Sequence, residues 1–244
     1  MTDAPPSLTG IRVVLCDADG NLFPSEEPAF EASVGVTNDF LAGRGVPRRY
    51  GSEELRLAAT GRSYRTILTS LAREHGVAEP SADELEQLVH AEKAAVTAHL
   101  RTALHPDPDV LGPLNRLAVH HGLAAVSSSA DARIAACFEV TGMAEHFPPE
   151  RRFSAEDSLP VPTSKPDPAI YTYALHALGL RPDEAVAVED SPTGATAAVA
   201  AGIPTVGNLQ FVQADERDER REQLTAVGVV ALVESWDELL ALLD

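Results

Sequence analysis

Cysteine is nearly missing from this chain, and aromatic residues, basic residues and long apolar runs are all scarce. Two cysteines, Cys16 and Cys137, stand in 244 residues. Cys16 lies inside an apolar run, so both read as small buried hydrophobes in a reducing cytoplasm. Aromatic residues make up 5% of the chain, which leaves Ala, Val and Leu to build the core; the hydrophobic fraction of 44% is ordinary. No stretch approaches the roughly 18 apolar residues of a membrane span. The first ten residues have no basic segment followed by an apolar one, so they do not read as a signal peptide. Lys and Arg number 19 against 37 Asp and Glu, a formal net charge of -18. Nucleic acid and anionic membrane surfaces both need basic patches, so this balance argues against either as partner. A small anionic substrate remains compatible with it if a cation and a few basic groups reverse the field locally.

What the chain does have is an apolar run, Ile11 to Cys16, that ends in two carboxylates one residue apart and then a glycine: Asp17-Ala18-Asp19-Gly20. The run reads as a strand covered on both faces, as in a parallel sheet. Asp17 and Asp19 then fall just past its C-terminal end, where open α/β sheets bind ligands. Core packing gives no reason for two acids there. A divalent cation, or a nucleophile beside an acid/base, gives one; a solvated turn closing an ordinary strand is the plainer alternative.

From about residue 28 to 104 the pattern is helical with short breaks. Ser52, Ser63 and Ser81 each open a segment as N-caps, and Ser81 to Glu84 forms a capping box. The hinge His105-Pro106-Asp107-Pro108-Asp109 returns the chain to alternating strands and helices. Strands are expected at 123–126, 152–154, 185–188, 204–206 and 229–233, with helices between them, which implies a parallel sheet with right-handed crossovers. The mixed charge run 213–222 reads as a solvated loop or helix face. The expected architecture is therefore a doubly wound, Rossmann-like α/β core, residues 1–23 and 105–244, with an inserted four-helix cap, residues 24–104.

Three further features fall at strand or loop ends. Ser127 follows the 123–126 strand, and its hydroxyl with the Ser128 amide forms a donor pair suited to an oxyanion. Capping of the next helix is the alternative for Ser127 and the preferred reading for Ser129. Lys165 lies in a Pro-stiffened loop at a helix N-terminus, where the dipole disfavours it unless an anion is near; an exposed loop lysine is the alternative. Glu189-Asp190 ends the 185–188 strand and repeats the paired acids of the first. Carboxylates gathered from neighbouring strands suit Mg2+ with retained waters, while Asp190 could instead cap the following helix.

The order of these features resembles the haloacid dehalogenase-like hydrolase superfamily: Asp17 and Asp19, then Ser127, then Lys165 in Ser164-Lys165-Pro166-Asp167-Pro168, then Glu189 with Asp190 in Val188-Glu189-Asp190-Ser191-Pro192-Thr193-Gly194. The helical insert is similar to that of the subgroup with a small four-helix cap, which contains β-phosphoglucomutase and many sugar-phosphate phosphatases. The resemblance implies a Mg2+-dependent phosphatase for a small phosphorylated metabolite such as a sugar or polyol phosphate. Asp17 would be the nucleophile that forms an aspartyl-phosphate, and Asp19 the acid/base. Ala18, Asp19, Ser127, Ser128 and Lys165 would bind phosphate. Asp17, Asp19 through its backbone carbonyl, Glu189 and Asp190 would hold the metal. The cap would close over the crevice, with Arg62 and Tyr64 as candidate specificity residues. Asn21 departs from the family's usual Thr or Val and puts the geometry of that turn in question. A phosphomutase uses the same core residues and is the alternative. A non-catalytic sensor is disfavoured because nucleophile and acid/base are both present.

Overall fold

The computed structural model describes residues 8–59 and 63–243, with Ala59 described through its backbone only. The chain forms two compact units, Met1–Pro24 with His105–Asp244, and Ser25–Leu104.

The first unit opens with β1 (Val13–Cys16). The second unit holds α1 (Glu26–Ala42), α2 (Ser52–Ala59), α3 (Tyr64–Glu74) and α4 (Ala82–Ala103). The first then resumes with α5 (Pro108–His120), β2 (Gly122–Ser127), α6 (Asp131–Thr141), β3 (Arg152–Ser154), α7 (Ala169–Leu178), β4 (Ala185–Glu189), α8 (Pro192–Ala200), β5 (Thr205–Asn208), α9 (Arg217–Val227), β6 (Ala231–Val233) and α10 (Trp236–Leu243). Short 3-10 turns precede β3 and β4. Among the described residues no helix is long and apolar enough to cross a membrane.

Among the described residues six strands form one sheet, all parallel, in the order β3-β2-β1-β4-β5-β6. The chain winds outward from β1 on one side, then returns to lay β4 against its other edge. The C-terminal ends of β1 and β4 thus flank the point where the winding reverses, the crevice in which open α/β sheets hold ligands. Register sets the depth: Cys16 pairs with Ala125 of β2 and with Val188 of β4, so Asp17 emerges level with Glu189.

Both sheet faces are covered, which is why the strands read as continuous apolar runs rather than alternating ones. On one face Val13 and Leu15 pack with Ala124, Val126, Ala185 and Ala187 under Ile170 and Tyr171 of α7 and Ala197 and Ala198 of α8. Alanines on strand and helix let these layers approach closely, consistent with the low aromatic content. The helical unit has its own core, built on Phe40, Leu41, Tyr50, Leu55, Ile67, Leu68 and Leu71. Ser63 and Ser81 cap α3 and α4 by accepting from Thr66 N and Glu84 N. Of the charge run at 213–222, residues 213–216 form a turn and 217–222 the front of α9.

Candidate active site

The site begins with the loop that leaves β1. Asp17 N still donates to Val188 O at 3.0 Å, and Leu22 N turns back to Ala18 O at 2.9 Å. Gly20 has a φ of +76°, a conformation that side chains resist, and a Cβ there would lie 2.6 Å from Asp190 Oδ2. Glycine is therefore needed both for the turn and for the carboxylate that leans over it.

Asn21 resolves the question its departure raised. It is fully buried. Its amide donates to Asp17 O (2.9 Å) and Val188 O (3.1 Å), and its own oxygen accepts from Asn208 Nδ2 (2.9 Å). Trp236 Nε1 donates to Asn21 O at 3.0 Å. One side chain thus ties the loop to the ends of β1 and β4 and to β5, a bridge that an apolar Val could not make.

Four of the expected residues converge. Lys165, its side chain only 5% exposed, donates through Nζ to Asp17 Oδ1, to Glu189 Oε1 at 2.6 Å and to Val126 O at 2.8 Å. This is a buried, three-way contact, and the exposed-lysine alternative is set aside. Oxygens of Asp17, Glu189 and Asp190 lie within 4.8 Å of one another. Glu189 is completely buried; its Oε1 also accepts from the Tyr171 hydroxyl, and its Oε2 has no hydrogen-bond partner among the described residues. A Cβ at Gly194 would sit 1.8 Å from Oε2, so only glycine leaves that carboxylate its space.

Electrostatics explain what the cluster needs. Burial pushes Asp17 well above its ordinary pKa, and Glu189 and Asp190 push it further, while Lys165 opposes them. Burial, then Glu189, raise Asp190 to about 7, with Arg220 opposing. Burial alone would lower Lys165, but Asp17 and Glu189 outweigh it and raise the ammonium. Lys165 and Arg220 together do not offset three crowded acids, since Asp17 and Asp190 stay above their ordinary pKa; an additional positive charge would. The donor set is all hard oxygen and includes an orphaned carboxylate oxygen, the chemistry that Mg2+ takes.

Asp19 stands apart from this cluster. Its Oδ2 accepts from Ser129 Oγ at 2.6 Å and its Oδ1 from Arg133 Nη2 at 2.8 Å. Ser129 therefore does not cap α6; Ala130 occupies that position, without a side-chain cap bond. Ser127 Oγ accepts from Ser129 N at 3.1 Å, so it shapes its own loop, two residues beyond the partner of Cys16. Ser128 Oγ accepts from Lys165 N at 3.2 Å, joining the β2 loop to the lysine loop. Ala18 is fully buried beneath the turn. Asp190 does not cap α8; Ser191 does, accepting from Gly194 N.

Of the candidate specificity residues, Arg62 lies outside the described residues. Tyr64 belongs to the helical unit, where its hydroxyl meets Thr37 Oγ1 at 3.1 Å. Sequence reasoning missed Arg133, Arg220 and the roles of Ser129 and Tyr171. A signal for the two arginines was present. Each lies in the first turn of a helix that follows a strand, where the dipole disfavours a cation without an anion nearby. The same reasoning had picked out Lys165.

A family model for haloacid dehalogenase-like hydrolases matches residues 11–202. The protein CbbY of Cereibacter sphaeroides is 29% identical over 238 residues, 94% of each chain. A CBBY-like protein of Arabidopsis thaliana is 45% identical over 62 residues; that match spans 25% of this chain and only 19% of the plant protein's length. The crystal structure of a putative beta-phosphoglucomutase from Thermotoga maritima superposes with a TM-score of 0.69 at 26% identity, covering 96% of this chain and 98% of that one.

Proposed function

This chain belongs to the haloacid dehalogenase-like hydrolase family, and on that premise we propose that it is a Mg2+-dependent phosphatase of a small phosphorylated metabolite, a sugar or polyol phosphate. The observation that carries the reading is the convergence of Asp17, Lys165, Glu189 and Asp190 where the sheet's winding reverses.

Asp17 acts as the nucleophile. Its carboxylate attacks phosphorus, the bond to the leaving oxygen breaks, and an aspartyl-phosphate forms. Asp19 gives its proton to the leaving alcohol, then takes one from the water that attacks the aspartyl-phosphate, so phosphate leaves and both acids return to their starting states. Two acids one residue apart thus divide the work. Lys165 holds a phosphoryl oxygen as charge spreads in the transition state, and the backbone amides of Ala18 and Asp19 with Ser127 and Ser128 supply further donors. Asp17, Glu189 and Asp190, with the backbone carbonyl of Asp19, would hold Mg2+. Once bound, the ion lowers the repulsion between the Asp17 carboxylate and an anionic phosphoryl group.

Likeness to the Thermotoga maritima protein favours a second reading, a phosphomutase that returns the phosphoryl group to a sugar. The product separates the two. Sugar, polyol and nucleotide phosphates are offered with and without Mg2+, with Asp17→Asn as control. A phosphatase releases inorganic phosphate only with Mg2+ and only in the wild type. An isomerised sugar phosphate without net phosphate release supports the mutase, and no turnover of any of these compounds contradicts both.

A further inference from the structure

We propose that Arg220 is a positioning residue for Asp190 and so sets the affinity of the acid cluster for a divalent cation, an inference that rests on the metal-dependent reading above. Arg220 lies in the run 213–222, which the sequence alone assigns to solvent. Three basic residues of α9 face the surrounding structure, and they go to different places. Arg217 Nε donates to Val212 O at 3.1 Å, and Arg221 Nη2 pairs with Glu234 at 2.6 Å. Arg220 turns inward: Nη1 donates to Asp190 O at 2.7 Å and lies 3.7 Å from Asp190 Oδ2. Both side chains are largely shielded, at 20% and 13% exposure.

Two features place the Asp190 carboxylate, one by leaving it space and one by bonding its backbone. The turn at Gly20 leaves it room on one side, since a Cβ there would come within 2.6 Å of Oδ2. Arg220 fixes the strand-end backbone on the other. Two consequences of the arginine oppose each other. Its charge repels an incoming cation, which favours weak binding. Its grip orders a ligand before the cation arrives, which favours tight binding. Geometry decides between them. The short bond is to the backbone oxygen and the carboxylate is 1.0 Å farther off, so the guanidinium orders Asp190 more than it neutralises it. Loss of outer partners of this kind costs roughly 10–100-fold in metal affinity.

The test is calorimetric titration of Mg2+ into the full wild-type chain, Arg220→Ala and Arg220→Lys. Mg2+ half-saturation and kcat at saturating Mg2+ are measured beside it on p-nitrophenyl phosphate. The expected result is a Kd raised about tenfold in Arg220→Ala, with a smaller rise in Arg220→Lys. The half-saturation constant should move with the Kd, and kcat at saturating Mg2+ should change far less. An equal or tighter Kd in Arg220→Ala overturns the inference and leaves the phosphatase reading standing. If Arg220→Ala does not fold, Arg220→Lys decides, and an unchanged Kd there overturns it. Wild-type phosphate release without any Mg2+ binding contradicts the metal-dependent reading and this inference with it.

Discussion

The interiors of the two units hold their polar groups in different ways. Among the described residues of the helical unit the buried polar side chains are neutral: Ser25, Ser33, Thr37 and Asn38. Thr37 donates to Ser33 O one turn back, and Asn38 exchanges two hydrogen bonds with the backbone of Tyr50. These bonds join one helix to its own turn or to the next segment, and they satisfy groups that burial would otherwise penalise. In the α/β unit the buried polar residues include two carboxylates, Asp17 and Glu189, gathered on a lysine. Burying charge is costly, and a neutral pair would hold the fold as well. Among the described residues, carboxylates are buried only where chemistry is proposed. The helical unit uses polarity to fix its own shape; the α/β unit spends stability to hold reactive groups.

The harshest way to break this comparison is to leave the buried acids without their cation. Lys165→Met should cost ~3–5 kcal/mol, because Asp17 and Glu189 are then buried and uncompensated. Chemical denaturation measures it, and a loss under about 1 kcal/mol would place the cluster on a par with the neutral hydroxyls of the other unit. Asn21→Ala should cost about 1–3 kcal/mol, since Asp17 O, Val188 O and Asn208 each lose a partner. Asn21→Thr, the family's usual residue, should recover part of that on the same denaturation curve.

The acids also predict a pH dependence that the helical unit should lack. Burial and Glu189 raise Asp190 to about 7. A cation must displace that proton, so Mg2+ affinity should fall as pH drops through 7, by up to about tenfold per pH unit. Calorimetry at pH 6 and pH 8 checks the sign; a flat profile would mean that Asp190 is already ionised across that range. The smallest effect belongs to Tyr64→Phe. Loss of its bond to Thr37 should cost ~0.5–1.5 kcal/mol with KM unchanged. A large rise in KM would make Tyr64 a substrate contact and give the helical unit a part in the chemistry.

Strand ends were the most legible part of the sequence, because an apolar run stopping at paired acids has few explanations. Asp17 and Glu189-Asp190 were found this way, and the serine caps of α3 and α4 followed from residue type and spacing. Neutral side chains that act across the fold, and a carboxylate placed where a cap is expected, were not legible. Ser129 sits where a helix cap is expected, yet it bonds Asp19, and nothing local distinguishes the two. Asp190 likewise resembles a cap while Ser191 performs that function. Asn208 gave no signal at all: its partner Asn21 is 187 residues away, and only the sheet order brings them together. Lys165 was legible in kind, as a cation opposing a dipole, but its simultaneous hold on Asp17, Glu189 and Val126 O needed the register of three strands.

The claim on which the rest depends is that Asp17 becomes covalently phosphorylated. Rapid acid quench of the Mg2+-loaded chain during turnover of p-nitrophenyl phosphate, followed by peptide mapping by mass spectrometry, tests it directly. The account predicts one phosphoryl group on the peptide that carries Asp17, absent from Asp17→Asn. Phosphate release by Asp17→Asn at the wild-type rate, or a phosphoryl group found on a different residue, would contradict it.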